Sequence, residues 1–215
     1  MDLYYTIVSP PSRSVILLAR YLDISLNLKD LKLATGEHLS EWFLKINPQH
    51  CVPTLVTEEG VPLWESNAIM VYLADRFDKE AKVYPKDPLK RAVVNQRLCF
   101  DLTTLYKNVS GYYGPIVMRG ATPDENLYKQ VEQAFGYLEG FLAKSKFAAG
   151  DQITVADFAL ITSVSMAAAM KFDLTKYPNV ERWTKLCVST MTGYEDVSNQ
   201  AKAAWKAFME SKQSK

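Results

Sequence analysis

A serine near the start of the chain lies between an apolar run and a helical pattern, in the stretch VSPPSR (8–13). Ser9 either begins the following helix or uses its hydroxyl in a chemical role. Serine is a preferred helix N-cap, so capping is the default interpretation. Ser12 could cap that helix instead, however, and Pro11 suits its first turn. The local sequence therefore leaves both interpretations of Ser9 open.

Glu65 and Ser66 form a second candidate pair, at the junction between a predicted strand and a predicted helix. Ser66 and the first N–H groups of the helix can hold a carboxylate, while Glu65 can face an ammonium group. The alternative is that Ser66 only caps the helix. His38 and His50 are the two histidines of the chain, and their local sequence assigns neither of them a role.

Cysteine and histidine usage argues against a metal centre. Cys51, Cys99 and Cys187 are odd in number, far apart and without the spacing of metal ligands. Even with the two histidines they do not predict a structural zinc site. Reduced thiols are typical of cytosolic proteins, so we expect a cytoplasmic protein without a bound metal.

Charge and hydropathy exclude two further classes. The net charge of +1 is unevenly distributed. Residues 1–78 contain six basic and ten acidic residues and so carry −4, while the remainder carries +5. That balance is too mild and too dispersed for nucleic-acid binding. The N-terminal segment lacks the apolar core of a signal peptide. The run 158–170 is short and contains Ser and Thr, which predicts a buried helix and no membrane span.

The elements that must position these residues alternate over the first third of the chain. Strand and helix periodicities predict the order βαβαββα, with Pro53 directly before the third strand. This order predicts a small α/β domain, followed by a charged linker that ends in two prolines. The predicted bounds are 3–8, 11–22, 26–31, 39–46, a hairpin over 54–64, and 66–77.

From Leu89 onward the pattern is helical throughout, which predicts an all-α domain. A capping box over 154–157 is the strongest local signal, and the Tyr-Tyr-Gly-Pro run at 112–115 is expected to break or kink the first helix. The predicted helices are 89–118, 123–143, 154–170, 178–190 and 196–211. The predicted domains are 1–78, a linker at 79–88, and 89–215.

With these elements in place, the chain resembles the cytosolic glutathione S-transferases, and in particular the insect delta class with the epsilon class as its neighbour. The resemblance implies a thioredoxin-like N-terminal domain that binds glutathione, an all-α domain with a pocket for electrophiles, and a homodimer that binds neither nucleic acid nor membrane. The motifs that carry it are spread over the whole chain: NPQHCVPTLV (47–56), LWES (63–66), YPKDP (84–88), RAVVNQRL (91–98) and AAGDQITVADFAL (148–160).

The resemblance implies that Ser9 is the catalytic residue, whose hydroxyl donates to the glutathione sulfur and favours the thiolate. Some members of the superfamily use a cysteine, but they carry it at the end of the first strand, where this chain has Ser9. Cys51 is therefore expected to pack beside its turn. The backbone of Val52 would pair with the cysteinyl backbone of glutathione, as an added strand pairs with a sheet edge.

The two ends of glutathione have implied partners as well. Glu65 and Ser66 would hold the γ-glutamyl ammonium and carboxylate, and both histidines would face the glycyl carboxylate. Asp101 would come from the partner subunit. The implied glutathione-binding set is Pro11, Leu33, His38, His50, Cys51, Val52, Pro53, Glu65, Ser66, Asn67 and Asp101.

Two positions depart from the delta pattern. Asn67 stands where delta enzymes usually have Arg, and the loss of a mostly screened cation is expected to weaken glutathione affinity by about 1 kcal/mol. Cys99 stands where the family often has an aromatic residue that interlocks the two subunits. The resemblance still implies a dimer, without that interlock.

The electrophile pocket is expected on one apolar face of the first long helix, together with the last helix. The same spacing is also typical of residues that pack in a core, so both interpretations apply to each position. Gly114 stands where related sequences tend to carry an aromatic residue, which would widen the pocket. The candidate pocket residues are Tyr106, Val109, Tyr113, Val117, Met118 and Phe208, with Trp205 beside Phe208.

Three functions compete at this stage. The first is a detoxifying transferase, in which the glutathione thiolate attacks a hydrophobic electrophile. The second keeps the site and uses glutathione as base or reductant, in an isomerase, peroxidase or dehydrochlorinase. The third is a carrier of hydrophobic ligands without catalysis, or a structural member of the superfamily. This third function is disfavoured by Ser9, by Glu65 with Ser66 and by the paired histidines, because a site that no longer acts on glutathione does not need them.

Overall fold

The N-terminal strands form one sheet that turns apolar residues to a common face. In the computed structural model, which describes residues 1–213, these strands are β1 (Asp2–Tyr5), β2 (Asn27–Asp30), β3 (Thr54–Val56) and β4 (Pro62–Trp64). Their order is β2-β1-β3-β4, with β1 parallel to β2 and both other pairings antiparallel. Leu3 lies opposite Leu28 and Leu55, and neither Leu3 nor Leu55 has exposed surface.

The helices of this part are α1 (Pro10–Tyr21), α2 (Glu41–Ile46) and α3 (Ser66–Phe77), with short 3₁₀ turns at Leu33–Thr35 and Glu37–Leu39. The predicted order βαβαββα is confirmed. The first strand is shorter than predicted, because the chain turns after Tyr5 and the Ser9 N–H donates to the Thr6 carbonyl at 3.1 Å. Residues 6–9 therefore form a loop that places Ser9 at the start of α1.

The rest of the chain is helical, as predicted. The helices are α4 (Pro88–Phe100), α5 (Tyr106–Arg119), α6 (Glu125–Leu142), α7 (Val155–Ala169), α8 (Pro178–Thr190) and α9 (Tyr194–Gln213). The single long helix predicted over 89–118 contains a π-helical turn at Asp101–Leu105. A break at 112–115 is wrong, since α5 continues through Pro115 to Arg119 and ends at the left-handed Gly120. The alternative of a kink there stays a prediction.

Helix α7 is the buried helix that its composition predicts, with continuous burial from Val155 to Val164. The predicted capping box is present, and the Asp157 carboxylate accepts from the N–H and the hydroxyl of Thr154 at 2.9 and 3.1 Å. Asp157 also accepts from the indole N–H of Trp183 at 2.8 Å. One buried carboxylate thus ties the start of α7 to α8.

The chain divides into two compact units, Met1–Phe77 with the segment from Met191 onward, and Asp78–Thr190. Helix α9 belongs to the first unit, where Asp196 pairs with Arg20 of α1 at 2.6 Å. The domain bounds predicted at 78 and 88 stay predictions. No helix among residues 1–213 is both long and apolar enough to cross a membrane.

Candidate active site

Ser9 is the N-cap of α1, with extended backbone angles of φ −76° and ψ 118°. Its Oγ accepts a hydrogen bond from the N–H of Ser12 at 3.3 Å. The alternative of Ser12 as the cap is therefore wrong, because Ser12 occupies the first turn and has no exposed surface. A hydroxyl that accepts at an N-cap still has its own hydrogen to donate. The capping role of Ser9 is thus compatible with a chemical one.

The two histidines lie near each other although twelve positions separate them in the sequence. His38 belongs to the 3₁₀ turn that precedes α2, and His50 follows α2. Their ring centroids are 6.0 Å apart. The loop before His38 is closed by a hydrogen bond from the Lys32 N–H to the Glu37 carboxylate at 2.7 Å. The structure therefore brings together two imidazoles whose spacing gave no signal of a pair.

The turn from Asn47 to Thr54 is fixed by a buried amide. The Asn47 side chain has no exposed surface and donates to the Thr54 hydroxyl at 2.8 Å and to the Cys51 carbonyl at 3.3 Å. It also lies 3.4 Å from the Cys51 sulfur, which agrees with a thiol that packs beside its turn. The Val52–Pro53 peptide is cis. The buried amide of Asn47 is a contact that no local pattern indicates.

Two of the residues implied in glutathione binding have a left-handed backbone. His50 has φ 44° and Glu65 has φ 66°. Residues other than glycine pay a conformational cost in this region, and such residues concentrate at functional sites. Glu65 lies between β4 and α3, and its carbonyl accepts the first helical hydrogen bond, from the Ile69 N–H at 3.0 Å. Ser66 and Asn67 are the first two residues of α3, where the helix N-terminus favours an anion.

Two further members of the implied set lie in the same unit. Pro11 is in the first turn of α1, beside Ser9. Leu33 begins a 3₁₀ turn, and its N–H donates to the Leu31 carbonyl at 3.0 Å. The part that each plays in binding stays a prediction.

Asp101 belongs to the second unit and begins the π-helical turn. Only 8% of its surface is exposed, and it accepts a hydrogen bond from the Ser163 hydroxyl at 2.7 Å. Burial raises the pKa of the Asp101 carboxyl to about 7, while the Ser163 hydrogen bond acts in the opposite direction. Asp101 is thus a buried acid of its own chain, and its implied contact with glutathione stays a prediction.

The predicted pocket residues of α5 differ in exposure. Val109 has no exposed surface and Tyr113 has 8%, while Met118 is 49% exposed. Full burial is typical of a core position, which is the alternative that the spacing left open for Val109. Burial raises the pKa of Tyr113 to about 12, and the neighbouring Tyr128 and Tyr112 act in the same direction. The Tyr113 hydroxyl therefore keeps its proton through the physiological range.

The remaining pocket candidates are partly exposed. Tyr106 and Val117 are half-buried on α5. On α9, Phe208 and Trp205 are half-buried and their ring centroids lie 5.6 Å apart. Gly114 has open space around the position of a Cβ, with nothing within 4 Å. The assignment of these residues to a pocket stays a prediction.

Comparisons with known proteins agree with this geometry. Models for the N-terminal and C-terminal domains of glutathione S-transferase match residues 3–75 and 104–190. A delta-class glutathione transferase of Nilaparvata lugens is 42% identical, with a TM-score of 0.92 and 98% of each chain covered. Glutathione S-transferase 1-6 of Anopheles dirus species B is 39% identical, with a TM-score of 0.91 over 98% of this chain and 100% of that chain.

The similarity extends to a second class. An epsilon-class glutathione S-transferase of the housefly, Musca domestica, is 37% identical to this chain. Its TM-score is 0.89, with 98% of this chain and 97% of that chain covered. The resemblance to the delta and epsilon classes is therefore confirmed.

Proposed function

The chain belongs to the glutathione S-transferase family and is a glutathione transferase; we propose that Ser9 activates the thiol of bound glutathione for attack on hydrophobic electrophiles. The observation that carries this proposal is the hydrogen bond from the Ser12 N–H to the Ser9 Oγ at 3.3 Å. That bond uses a lone pair of the hydroxyl oxygen and leaves its hydrogen for the sulfur. Ser9 then donates to the thiolate more strongly than to the thiol.

The free energy required is within reach of these groups. A free thiol with a pKa near 8.5 is about 3% ionised at pH 7, and lowering that pKa to about 6.5 takes roughly 2.7 kcal/mol. A hydrogen bond to a charged group supplies about 1.5–3 kcal/mol. The N-terminus of α1 adds roughly 0.3–1 kcal/mol where it faces the anion. Ser9 and its helix therefore suffice without a metal.

Glutathione is proposed to bind as the co-substrate along the loops of the first unit. His38 and His50 take the glycyl carboxylate, and the Val52 backbone takes the cysteinyl part. Glu65 and Ser66 hold the γ-glutamyl end. The 6.0 Å approach of the two histidine rings and the left-handed backbone of Glu65 support this assignment.

Thiol activation alone gives a modest rate gain. The thiolate fraction rises roughly 25-fold, but a fall of two units in thiol pKa lowers nucleophilicity about eightfold, so the net gain is about threefold. A larger enhancement requires the electrophile to be held against the sulfur. We assign that role to the predicted apolar pocket, and detoxification of hydrophobic compounds to the enzyme as a whole.

We also propose that the protein is a cytoplasmic homodimer. Leu89 at the start of α4 is 74% exposed, and Leu102 in the π-helical turn is 50% exposed. These exposed leucines lie on the same stretch of chain as an exposed cysteine, Cys99, which supports a subunit interface along residues 89–102. Sedimentation of a monomer at micromolar concentration would reject the dimer.

The experiment that tests the proposed function is a titration of bound glutathione by the ultraviolet absorbance of its thiolate. We expect a depressed thiol pKa in the wild type and an increase of at least one unit in Ser9→Ala. Ser14→Ala is the matched control, because Ser14 is a buried serine of the same helix whose hydroxyl donates to the Pro11 carbonyl at 2.8 Å. If bound glutathione titrates like free glutathione in the wild type, the protein binds glutathione without activating it, and a carrier becomes the better description.

A further inference from the structure

The two histidines lie beside each other and have no partner within the part of the chain that the structure describes. The ring centroids of His38 and His50 are 6.0 Å apart, with an angle of 48° between the ring planes. Neither imidazole forms a hydrogen bond or an ion pair with another described residue, and the Nδ1 atom of His38 is buried without a partner. His50 is exposed and His38 is half-buried. The pair therefore has uncommitted ring nitrogens to offer to a ligand.

A pair of imidazoles can bind two chemically different ligands. Through ring N–H groups it donates hydrogen bonds to an anion, which is the role proposed above for the glycyl carboxylate. Through ring lone pairs it coordinates a transition-metal ion, and Zn²⁺, Cu²⁺ and Ni²⁺ are ions that suit imidazole. One ring nitrogen cannot donate a hydrogen and coordinate a metal at the same time, so the two ligands exclude each other there.

The separation of the two rings is compatible with one shared metal ion. A zinc ion lies about 2.1 Å from an imidazole nitrogen, and so about 3.2 Å from the centre of that ring. The centres of two rings on one ion are therefore about 5.2 Å apart at the tetrahedral angle and about 6.4 Å apart at most. The observed 6.0 Å lies within these limits. Because His50 is exposed, rotation of its side chain can close the difference from the tetrahedral value.

This site would have two protein ligands and no more. Among residues 1–213, no group of three or more His, Cys, Asp and Glu side chains could hold a metal ion. Cys51 follows His50 in the sequence, but its sulfur lies 3.4 Å from the amide nitrogen of Asn47, a side chain without exposed surface. Structural zinc sites have four protein ligands and catalytic ones have three. An ion on two histidines leaves its other positions to water, so it exchanges with the solution and is not a resident metal.

We propose that His38 and His50 form a two-ligand site for Zn²⁺, and that the bound ion inhibits the transferase by displacing the glycyl carboxylate of glutathione. The inference rests on the proposed function, in which both histidines take that carboxylate, and it names a cation that regulates the same site. A zinc ion and a carboxylate oxygen on the same two nitrogens would lie within about 1 Å of each other, because Zn–N is about 2.1 Å and N–H···O about 2.8 Å. The carboxylate must therefore withdraw, while the proposed pairing at Val52 holds the neighbouring part of glutathione in place.

The first part of the test is a calorimetric titration of Zn²⁺ into the wild type, His38→Gln and His50→Gln. We expect the affinity for Zn²⁺ to fall about tenfold or more in each histidine variant, since loss of a contact that only supports a metal ligand already costs about 10–100-fold. Cys51→Ser is the matched control, because it removes the thiol next to His50 and keeps both imidazoles. It should bind Zn²⁺ like the wild type. Wild-type affinity for Zn²⁺ in either histidine variant overturns the site.

The second part measures the binding of S-methylglutathione to the wild type with and without Zn²⁺. The methyl group blocks the sulfur, which would otherwise compete for the metal as a thiolate. At a Zn²⁺ concentration ten times its dissociation constant, simple competition raises the apparent Kd of S-methylglutathione about elevenfold. Mg²⁺ prefers oxygen ligands and should leave that Kd unchanged.

Unchanged or tighter binding of S-methylglutathione at saturating Zn²⁺ overturns the inhibition. A metal-free wild type that does not bind S-methylglutathione instead rejects the proposed glutathione site. In that case the Zn²⁺ titrations of the histidine variants still decide whether the pair binds metal, so the two failures are distinguishable.

Discussion

Asp101 should make the stability of this protein depend on pH, and Asp101→Asn tests that effect. The carboxyl is 8% exposed and accepts one hydrogen bond, from Ser163 on α7. Burial raises its pKa to about 7, whereas an aspartate in the unfolded chain titrates near 3.9. The folded state therefore binds the proton more tightly than the unfolded state.

The sign of the effect follows from this difference. A raised folded-state pKa means that the stabilisation contributed by Asp101 is fully present below about pH 4 and is lost as pH rises through about 7. At 1.36 kcal/mol per pKa unit over roughly three units, the loss in free energy of unfolding is as much as about 4 kcal/mol. Asparagine resembles the protonated carboxyl and carries no charge. Asp101→Asn should therefore match the wild type near pH 4.5 and be more stable at pH 8.

The assay is urea unfolding at one protein concentration, at half-unit steps from pH 4.5 to pH 8, with Asp124→Asn as the control. Asp124 caps α6 and accepts from the Asn126 and Leu127 N–H groups at 2.8 and 3.1 Å. It is exposed, and asparagine caps a helix about as well as aspartate. Asp124→Asn should thus follow the wild-type curve. If the free energy of unfolding of Asp101→Asn also follows the wild-type curve from pH 4.5 to pH 8, the burial of a charge at Asp101 does not govern the pH dependence of stability.

Four further outcomes are expected. Gly140→Ala should raise the free energy of unfolding by about 0.5–1 kcal/mol in urea, because α6 exposes this glycine and a Cβ would meet nothing within 4 Å. Gly193→Ala should lower the free energy of unfolding, since Gly193 has a left-handed φ of +74° and a Cβ there would lie 2.8 Å from a guanidinium nitrogen of Arg20 on α1. Glu139→Gln should lower the free energy of unfolding by about 1–3 kcal/mol, because Glu139 accepts from the first N–H groups of α8 at 3.1 and 3.0 Å. Its control is Glu125→Gln, which loses one exposed i,i+4 ion pair and should lower the free energy of unfolding by less than about 0.5 kcal/mol. Asn67→Arg should lower the glutathione KM severalfold in steady-state kinetics. An unchanged KM would contradict the expectation that the absence of a cation at position 67 weakens glutathione binding.

The order of elements was predictable because it depends on periodicity and on local capping. The βαβαββα order and the capping box at Asp157 both agree with the structure. The π-helical turn at Asp101 was not predictable, because one extra residue in a turn changes the helical period too little to be noticed in an apolar pattern. The run that contains Pro115 was expected to break or kink α5, yet only four residues follow Pro115 before the helix ends, so any effect of the proline is confined to the last turns.

The site was less accessible to sequence reasoning than the fold. The approach of His38 to His50 and the buried amide of Asn47 depend on how the loops fold against each other, and neither follows a period. The left-handed backbone of Glu65 was also hidden, since glutamate is not a residue that favours that conformation. For the two histidines the family resemblance supplied the candidates, and the structure supplies the 6.0 Å distance between their rings.

Ser9 belongs both to the fold and to the proposed chemistry of the site, because its role as a helix cap is compatible with donation to a thiolate. A hydroxyl has one hydrogen to donate and two lone pairs to accept. The N-cap contact with the Ser12 N–H uses a lone pair, while stabilisation of a thiolate uses the hydrogen, so the two roles do not compete. The cap instead limits the rotation of the side chain. Loss of the hydroxyl in Ser9→Ala removes a helix cap worth about 1 kcal/mol as well as a donor. The thiol pKa of bound glutathione therefore separates the two losses, since a missing cap lowers stability but leaves no reason for the sulfur to titrate differently.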